Sequence, residues 1–369
     1  MRTKIEKMPI PVVILLGVVL TGVFIATLAG TGRIVDCIPG IATQSEYLLQ
    51  TLAEIGELVI FLIILKVLGH MEILKENKAG WLKSLYVAGF FVVYCIFNII
   101  AQIYVIVMSK FDSPQAPIDI FHFVCAMAMI GFVEELVFRG VILNLFLDRF
   151  EKSEKGLVAS ILLSGLLFGS MHFANIMAGG KLSSVFIQVV SATCLGILFG
   201  TVYAMTRNFW LVVAIHSLID FGSLLSSGLY KSGGMVAKIN QFSAVNLIGI
   251  VVLSIPCFVL LRKNNRKKLV SIYAGQELVI DEAEADKLGT VSLIVGIISI
   301  VIACVGYTLG LGVVGVIAAL LSNKAKPQNN GKAIAGLVTS IVGIVLAFIM
   351  IFVMSFIYQT GFGGTLMKI

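Results

Sequence analysis

Gly131-Phe-Val-Glu-Glu-Leu-Val-Phe-Arg-Gly140 places two adjacent carboxylates and a guanidinium inside an apolar run that extends from Phe121 to Phe146. A charged side chain near the centre of a bilayer costs at least about 2.5–3.5 kcal/mol, so three such groups persist there only if they pair or face a polar cavity. The stretch therefore reads as a functional site inside a membrane protein.

The rest of the chain agrees. Its 369 residues are 59% hydrophobic and 13% charged, with a mean hydropathy of +1.03, whereas a soluble domain carries roughly 25% charged residues. The net charge of +7 is scattered through short loops between apolar spans rather than gathered on one amphipathic face. That pattern argues against nucleic acid as a partner and reads as a topology signal in a lipid bilayer. Six cysteines (Cys37, Cys95, Cys125, Cys194, Cys257 and Cys304) show no CxxC spacing, so neither a disulfide framework nor a thiolate zinc site is implied.

Segments near the roughly 20 residues needed to cross a bilayer occur at 10–30, 48–69, 85–108, 119–147, 156–178, 182–205, 208–227 and 244–262. The first is longer than the roughly 7–15 apolar residues of a signal-peptide core, which favours a retained span. With the N-terminus cytoplasmic, the inside loops hold Arg2/Lys4/Lys7, Lys75/Lys78/Lys83, Arg149/Lys152/Lys155, Arg207 and the cluster from Arg262 to Lys268. The outside loops then keep only Arg33, Lys110, Lys181, Lys231 and Lys238, and this repeated asymmetry supports that orientation in a multi-pass cell-membrane protein. Residues 263–287 are polar, basic in front and acidic behind, and read as a cytoplasmic linker. Beyond them, Leu288–Leu321 is punctuated by glycine and is expected to enter and return, breaking near Gly306–Gly312, before a last span at 333–358. Small residues at Gly289, Gly296, Gly336 and Gly343 suit close helix packing. The expected fold class is all-α: a polytopic transmembrane helical bundle of about eight spans plus a C-terminal helical membrane module. The expected division is 1–84 for the N-terminal spans, 85–262 for the core with the charged motif, 263–287 for the linker and 288–369 for the glycine-rich module.

Two further motifs join the first. His172 closes Phe168-Gly-Ser-Met-His172, and His216 opens His216-Ser-Leu-Ile-Asp220. Four-residue spacing brings Phe168 beside His172 and His216 beside Asp220 on one helix face. By the same rule Glu135 pairs with Arg139, while Glu134 points roughly 100° away and is left free for chemistry. A carboxylate in a low-dielectric pocket can serve as a general base, and a nearby imidazole can share its water. Counted at about 1.5 Å per residue from the cytoplasmic ends, Glu134 lies roughly 20 Å in, His172 roughly 24 Å and His216 about 12 Å, so the third meets the others only if the helices tilt or begin outside the hydrocarbon. Glu54 and Glu57 in the second span either line the same cavity or snorkel, and His70 and His122 read as hydrogen-bonded packing residues. There is no HExxH helix and no GxGD signature. Ser170 is two residues from His172, a spacing that does not form a local dyad.

Glu134-Glu135-x-x-x-Arg139, Phe168-x-x-x-His172 and His216-x-x-x-Asp220, in this order on successive spans, resemble the CPBP family of intramembrane proteases. That family includes the prenyl-protein (CAAX) endopeptidases and the bacterial Abi proteins linked to bacteriocin processing and self-immunity. The resemblance covers about residues 85–227, less fully to 262. It implies that Glu134 and His172 activate a water against a peptide carbonyl, that His216 and Asp220 serve the oxyanion, that Arg139 and Glu135 fix the first motif and that Phe168 packs behind His172. Many members have Asn where this chain has Asp220, and an ionised Asp cannot donate to an oxyanion. Asp220 is then expected to orient His216, to ligate a metal or to stay protonated. Glu134, His172, His216 and Asp220 are also donors of the kind zinc accepts, although their spacing does not require a metal. The C-terminal module resembles the glycine-rich small membrane domain of unknown function appended to many bacterial proteins. Two functions follow: hydrolysis of a peptide or protein in or at the membrane, CAAX-type or in bacteriocin maturation, or a non-catalytic immunity or regulatory role on the same scaffold.

Overall fold

Backbone inside a bilayer finds no water, so an apolar span must close its own hydrogen bonds as a helix. The computed structural model describes residues 2–40, 45–109, 111, 113–150, 153–243, 246, 255–273, 276, 278–303 and 308–359. Among them are helices and no strand beyond two isolated bridges. Eight helices are long and apolar enough to cross a membrane, and the chain is an all-α, multi-pass membrane protein. The spans are α1 (Ile10–Asp36), α2 (Glu46–Leu68), α3 (Gly89–Ser109), α4 (Pro117–Phe150), α5 (Glu154–Ile176), α6 (Leu182–Thr206) and α7 (Phe209–Leu229). They are followed by α8 (Glu282–Val301), α9 (Leu309–Ala325) and α10 (Gly331–Gln359), the last of which carries the eighth apolar span. The expected span at 244–262 falls largely outside the described residues.

Helix ends follow local chemistry. Prolines occupy the first turns of α1 and α4, where a missing N–H costs nothing. Ser45, Ser153 and Asn208 cap α2, α5 and α7 by accepting from the N–H groups of Tyr47, Gly156 and Leu211. Gly69, at φ 86°, ends α2 in the left-handed conformation that glycine adopts without strain.

The chain divides into two units, residues 1–81 with 102–278 and residues 82–101 with 279–369. In the first, a line of edge-to-face rings forms the core: Phe24 lies 5.8 Å from Phe61 and 6.0 Å from Phe138, and Phe138 lies 5.2 Å from Phe168. The first span is therefore packed into the bundle. One end of this unit is closed by polar contacts: Arg149 Nε donates to the Met8 carbonyl at 2.7 Å, Arg207 pairs with Glu76 at 2.9 Å, and buried His70 meets Asp148 at 2.9 Å. These contacts gather the segments around residues 8, 70–78, 149 and 207 at one end, the set of loops that the charge pattern groups together. His70 is thus a hydrogen-bonded packing residue.

In the second unit α8 and α10 approach over small residues. A Cβ at Gly336 would lie 2.6 Å from the Leu293 nitrogen, and one at Gly296 would lie 2.8 Å from that of Ser340. Ser292 Oγ donates to the Gly315 carbonyl at 2.7 Å and Ser322 Oγ to that of Ala285 at 2.6 Å, which ties α8 to α9. The break expected near Gly306–Gly312 lies partly outside the described residues, and Gly310 and Gly312 are helical, within α9.

Candidate active site

Glu134 and Glu135 end the regular part of α4, and from Leu136 to Leu143 the helix widens into π-helical turns. Such turns are rare, are frequent at functional sites and release backbone carbonyls from the regular ladder. Here Asn144 satisfies them, its Nδ2 donating to the carbonyls of Arg139 at 2.7 Å and Gly140 at 3.0 Å.

Arg139 Nη1 donates to Glu135 Oε1 at 2.9 Å, the pair that the four-residue spacing predicts, and both side chains are fully enclosed. The other fork nitrogen, Nη2, donates to the Gly196 carbonyl of α6 at 3.0 Å, and the guanidinium lies over the rings of Phe168 at 4.5 Å and Phe199 at 5.0 Å. Glu134 takes no part in this pairing. Its side chain retains 14% exposure where Glu135 has none, and its Oε2 faces His216 Nε2 at 3.7 Å.

His216 is the hub. Its Nδ1 bonds Glu135 Oε1 at 2.8 Å, and its Nε2 faces Glu134 and, at 3.5 Å, Asp220 Oδ2. The short bond to His216 belongs to Glu135, which reaches across from α4, while Asp220, 27% exposed, makes the longer ionic contact to Nε2. The His216 ring stacks on Phe199 at 5.1 Å and meets the edge of Phe168 at 5.7 Å. Phe168 also meets His172 edge-to-face at 5.4 Å, so one phenyl ring lies behind both imidazoles. His172 Nδ1 lies 3.1 Å from the Phe168 carbonyl. A carbonyl only accepts, so Nδ1 carries the proton and Nε2 is left as the acceptor nitrogen. Ser170 donates to the Leu167 carbonyl at 2.9 Å and forms no dyad.

Two features explain how three helices meet here. Gly131 lets α7 lie against α4 one turn before the carboxylates, since a Cβ there would sit 2.7 Å from the Ser217 nitrogen and 3.0 Å from its Cα. In the Gly131→Val protein the new side chain should push α7 away, with a loss of about 1–3 kcal/mol of stability as read from thermal melting in detergent. The second is the start of α7. Arg207 and Asn208 are buried beneath residues 74–79: Lys78 and Ala79 donate to the carbonyls of Arg207 and Thr206, and Trp210 Nε1 donates to Leu74 O at 2.8 Å. The first turn of α7 is thus buried within the protein.

Residues 116–222 match the family model described as Rce1-like, type II CAAX prenyl endopeptidase. This stretch is similar to that family. It contains all seven residues of the three motifs and leaves α1 to α3 and the second unit outside. No curated protein and no solved structure matches the chain. An Rce1-like domain supports intramembrane endopeptidase activity and a peptide or protein substrate at the membrane.

Glu134, His172, His216 and Asp220 are donors of the kind that zinc accepts. Among the described residues no group of three or more His, Cys, Asp or Glu side chains is placed to hold a metal ion. Each Nδ1 is engaged, by Glu135 and by the Phe168 carbonyl, which leaves the Nε2 of each ring as the free nitrogen. Sequence reasoning missed Phe199, Gly196 and Asn144, none of which carries a charge or repeat that marks it. It also left Glu54 and Glu57 between cavity and snorkel; both are buried, at 1% and 0% exposure.

Proposed function

We propose that the chain is an intramembrane endopeptidase that hydrolyses a peptide bond in a membrane-associated or lipidated peptide through a water held by Glu134 and His172. The observation that carries this reading is the meeting of Glu134 and His216 at 3.7 Å, with His172 and His216 both against the Phe168 ring, inside the Rce1-like stretch. Glu134 takes a proton from the water as its oxygen bonds to the carbonyl carbon. His216, held through Nδ1 by Glu135, presents Nε2–H to the developing oxyanion, a donor that an ionised Asp220 cannot provide. When the C–N bond breaks, the proton on Glu134 passes to the leaving nitrogen, giving one carboxylic acid and one amine for each water consumed.

The test uses purified protein in detergent with two quenched fluorogenic peptides, one ending in a prenylated Cys-a-a-X sequence and its unprenylated counterpart. Loss of cleavage in Glu134→Ala, His172→Ala and His216→Ala supports the reading, and full activity in all three overturns it. Preference between the peptides separates CAAX-type processing from action on unmodified precursors such as those of bacteriocins.

We also propose that the N-terminus is cytoplasmic. The positive loops at one end of the bundle support this, and exposed Cys37 then lies on the outer face. In intact cells a membrane-impermeant maleimide should label a variant that keeps only Cys37; labelling only after lysis reverses the orientation.

A further inference from the structure

His172 caps the regular part of α5, and the chain continues from it as a 3₁₀ turn, His172–Ile176, in which no residue is buried. Packing therefore does not fix this turn, and hydrogen bonds must. Asn175 Nδ2 donates to Gln188 Oε1 of α6 at 2.9 Å. The loop that follows folds back on the turn, with the Gly180 N–H donating to the Asn175 carbonyl at 2.8 Å. Gly179, at φ 97°, takes the left-handed conformation that the bend needs, and a Cβ at Gly180 would lie 2.7 Å from the Asn175 oxygen.

The loop is held in turn by the segment beyond α7, which contains the short helix Met235–Ile239. Asn240 Oδ1 accepts from the Lys181 N–H at 2.7 Å, and its Nδ2 reaches the Gly179 carbonyl at 3.4 Å. One carboxamide thus serves both an N–H and a C=O of a loop that has no ladder of its own. Buried Ser184, in the first turn of α6, fastens the same segment by donating to the Phe242 carbonyl at 2.9 Å and reaching that of Asn240 at 3.3 Å. At its other end Lys238 Nζ donates at 2.8 Å to Ser226 Oγ, in the last turn of α7. The segment is therefore a brace between the helix that carries His216 and the loop that follows His172, whose two rings rest on Phe168.

We propose that Asn240 is a positioning residue for His172: by bonding Lys181 and Gly179 it ties the turn that carries this imidazole to the end of α7, and so sets His172 in register with His216. The inference rests on the endopeptidase reading for its kinetic consequence, and on the bonding of the loop alone for its structural one.

The experiment compares Asn240→Ala, Asn240→Asp, Ser184→Ala, the double variant Asn240→Ala with Ser184→Ala, and the control Gln241→Ala in purified full-length protein, using whichever of the two fluorogenic peptides the parent cleaves. Asn240→Ala should lower kcat by about tenfold with KM within about twofold, less than the roughly 10²-fold that a displacement of about 1 Å at reacting groups can cost. Its melting in detergent should match the parent, because the side chain is only half-buried. Asn240→Asp keeps the acceptor for the Lys181 N–H and should stay within about threefold of the parent. Since Asn240 and Ser184 secure one brace, the double variant should be no slower than the slower single variant within about twofold, rather than multiplying the two losses. Exposed Gln241 is the next residue in the chain, and Gln241→Ala should match the parent. Unchanged kcat in Asn240→Ala, multiplied losses in the double variant, or a fall in melting that accounts for the lost activity overturns the proposal. Glu134→Gln, measured alongside, decides the endopeptidase reading separately. Hydrogen–deuterium exchange decides the brace without any substrate. Backbone amides of residues 172–181 should exchange faster in Asn240→Ala while those of residues 209–222 do not change, and unaltered exchange over 172–181 overturns the proposal even if no peptide is cleaved.

Discussion

Glu134→Gln protein should bind its peptide with a KM within a few-fold of the parent and cleave it about 10²–10⁴-fold more slowly, the range that a positioned general base contributes. The substitution is nearly isosteric, and the parent side chain is the partly exposed member of the pair, facing His216 at 3.7 Å without a hydrogen bond to Arg139. Folding should therefore be little affected, and the loss should appear in kcat. Matched melting curves with collapsed turnover are the expected result. Equal turnover in parent and variant would remove Glu134 from the chemistry and with it the proposed water activation.

Arg139→Leu should have the opposite signature, a loss of about 3–5 kcal/mol of stability, because it removes one partner of a buried pair. The guanidinium serves Glu135, the Gly196 carbonyl and the faces of Phe168 and Phe199 at once. Without it, Glu135 keeps only His216, and α4 loses its polar tie to α6. Arg139→Lys should recover part of the loss, since one ammonium reaches either Glu135 or Gly196 but lacks the planar fork that takes both. Thermal midpoints in detergent for the two variants check this. Equal stability of Arg139→Leu and the parent would mean that the pair does not hold the helices together.

Much of this site was legible beforehand because it rests on helical spacing. Glu135 with Arg139, Phe168 beside His172 and the apolar spans around them all follow from four-residue neighbours and segment length. What escaped is tertiary. Asn208 at the start of α7 is buried under the chain at residues 74–79, and nothing in the local pattern marks a helix that begins indoors. Asp220 is the spacing-based partner of His216, yet Glu135 from another helix makes the shorter bond. Phe199 supports the imidazole from a fourth helix and resembles any other core phenylalanine in the sequence. The glycine that admits α7 is the first residue of the charged stretch itself, but its reason becomes visible only when Ser217 is seen against it.

The π-helical segment between Leu136 and Leu143 sets the phase between two halves of one rod. Before it, α4 turns Glu134 and Glu135 toward His216; after it, the same helix turns Asp148 toward His70 and Arg149 toward Met8. A regular helix advances each residue by about 100°, so shortening that segment by a single residue would leave either the site or the latch at the helix end facing the wrong neighbour. The widened turns are the gear that keeps both in register.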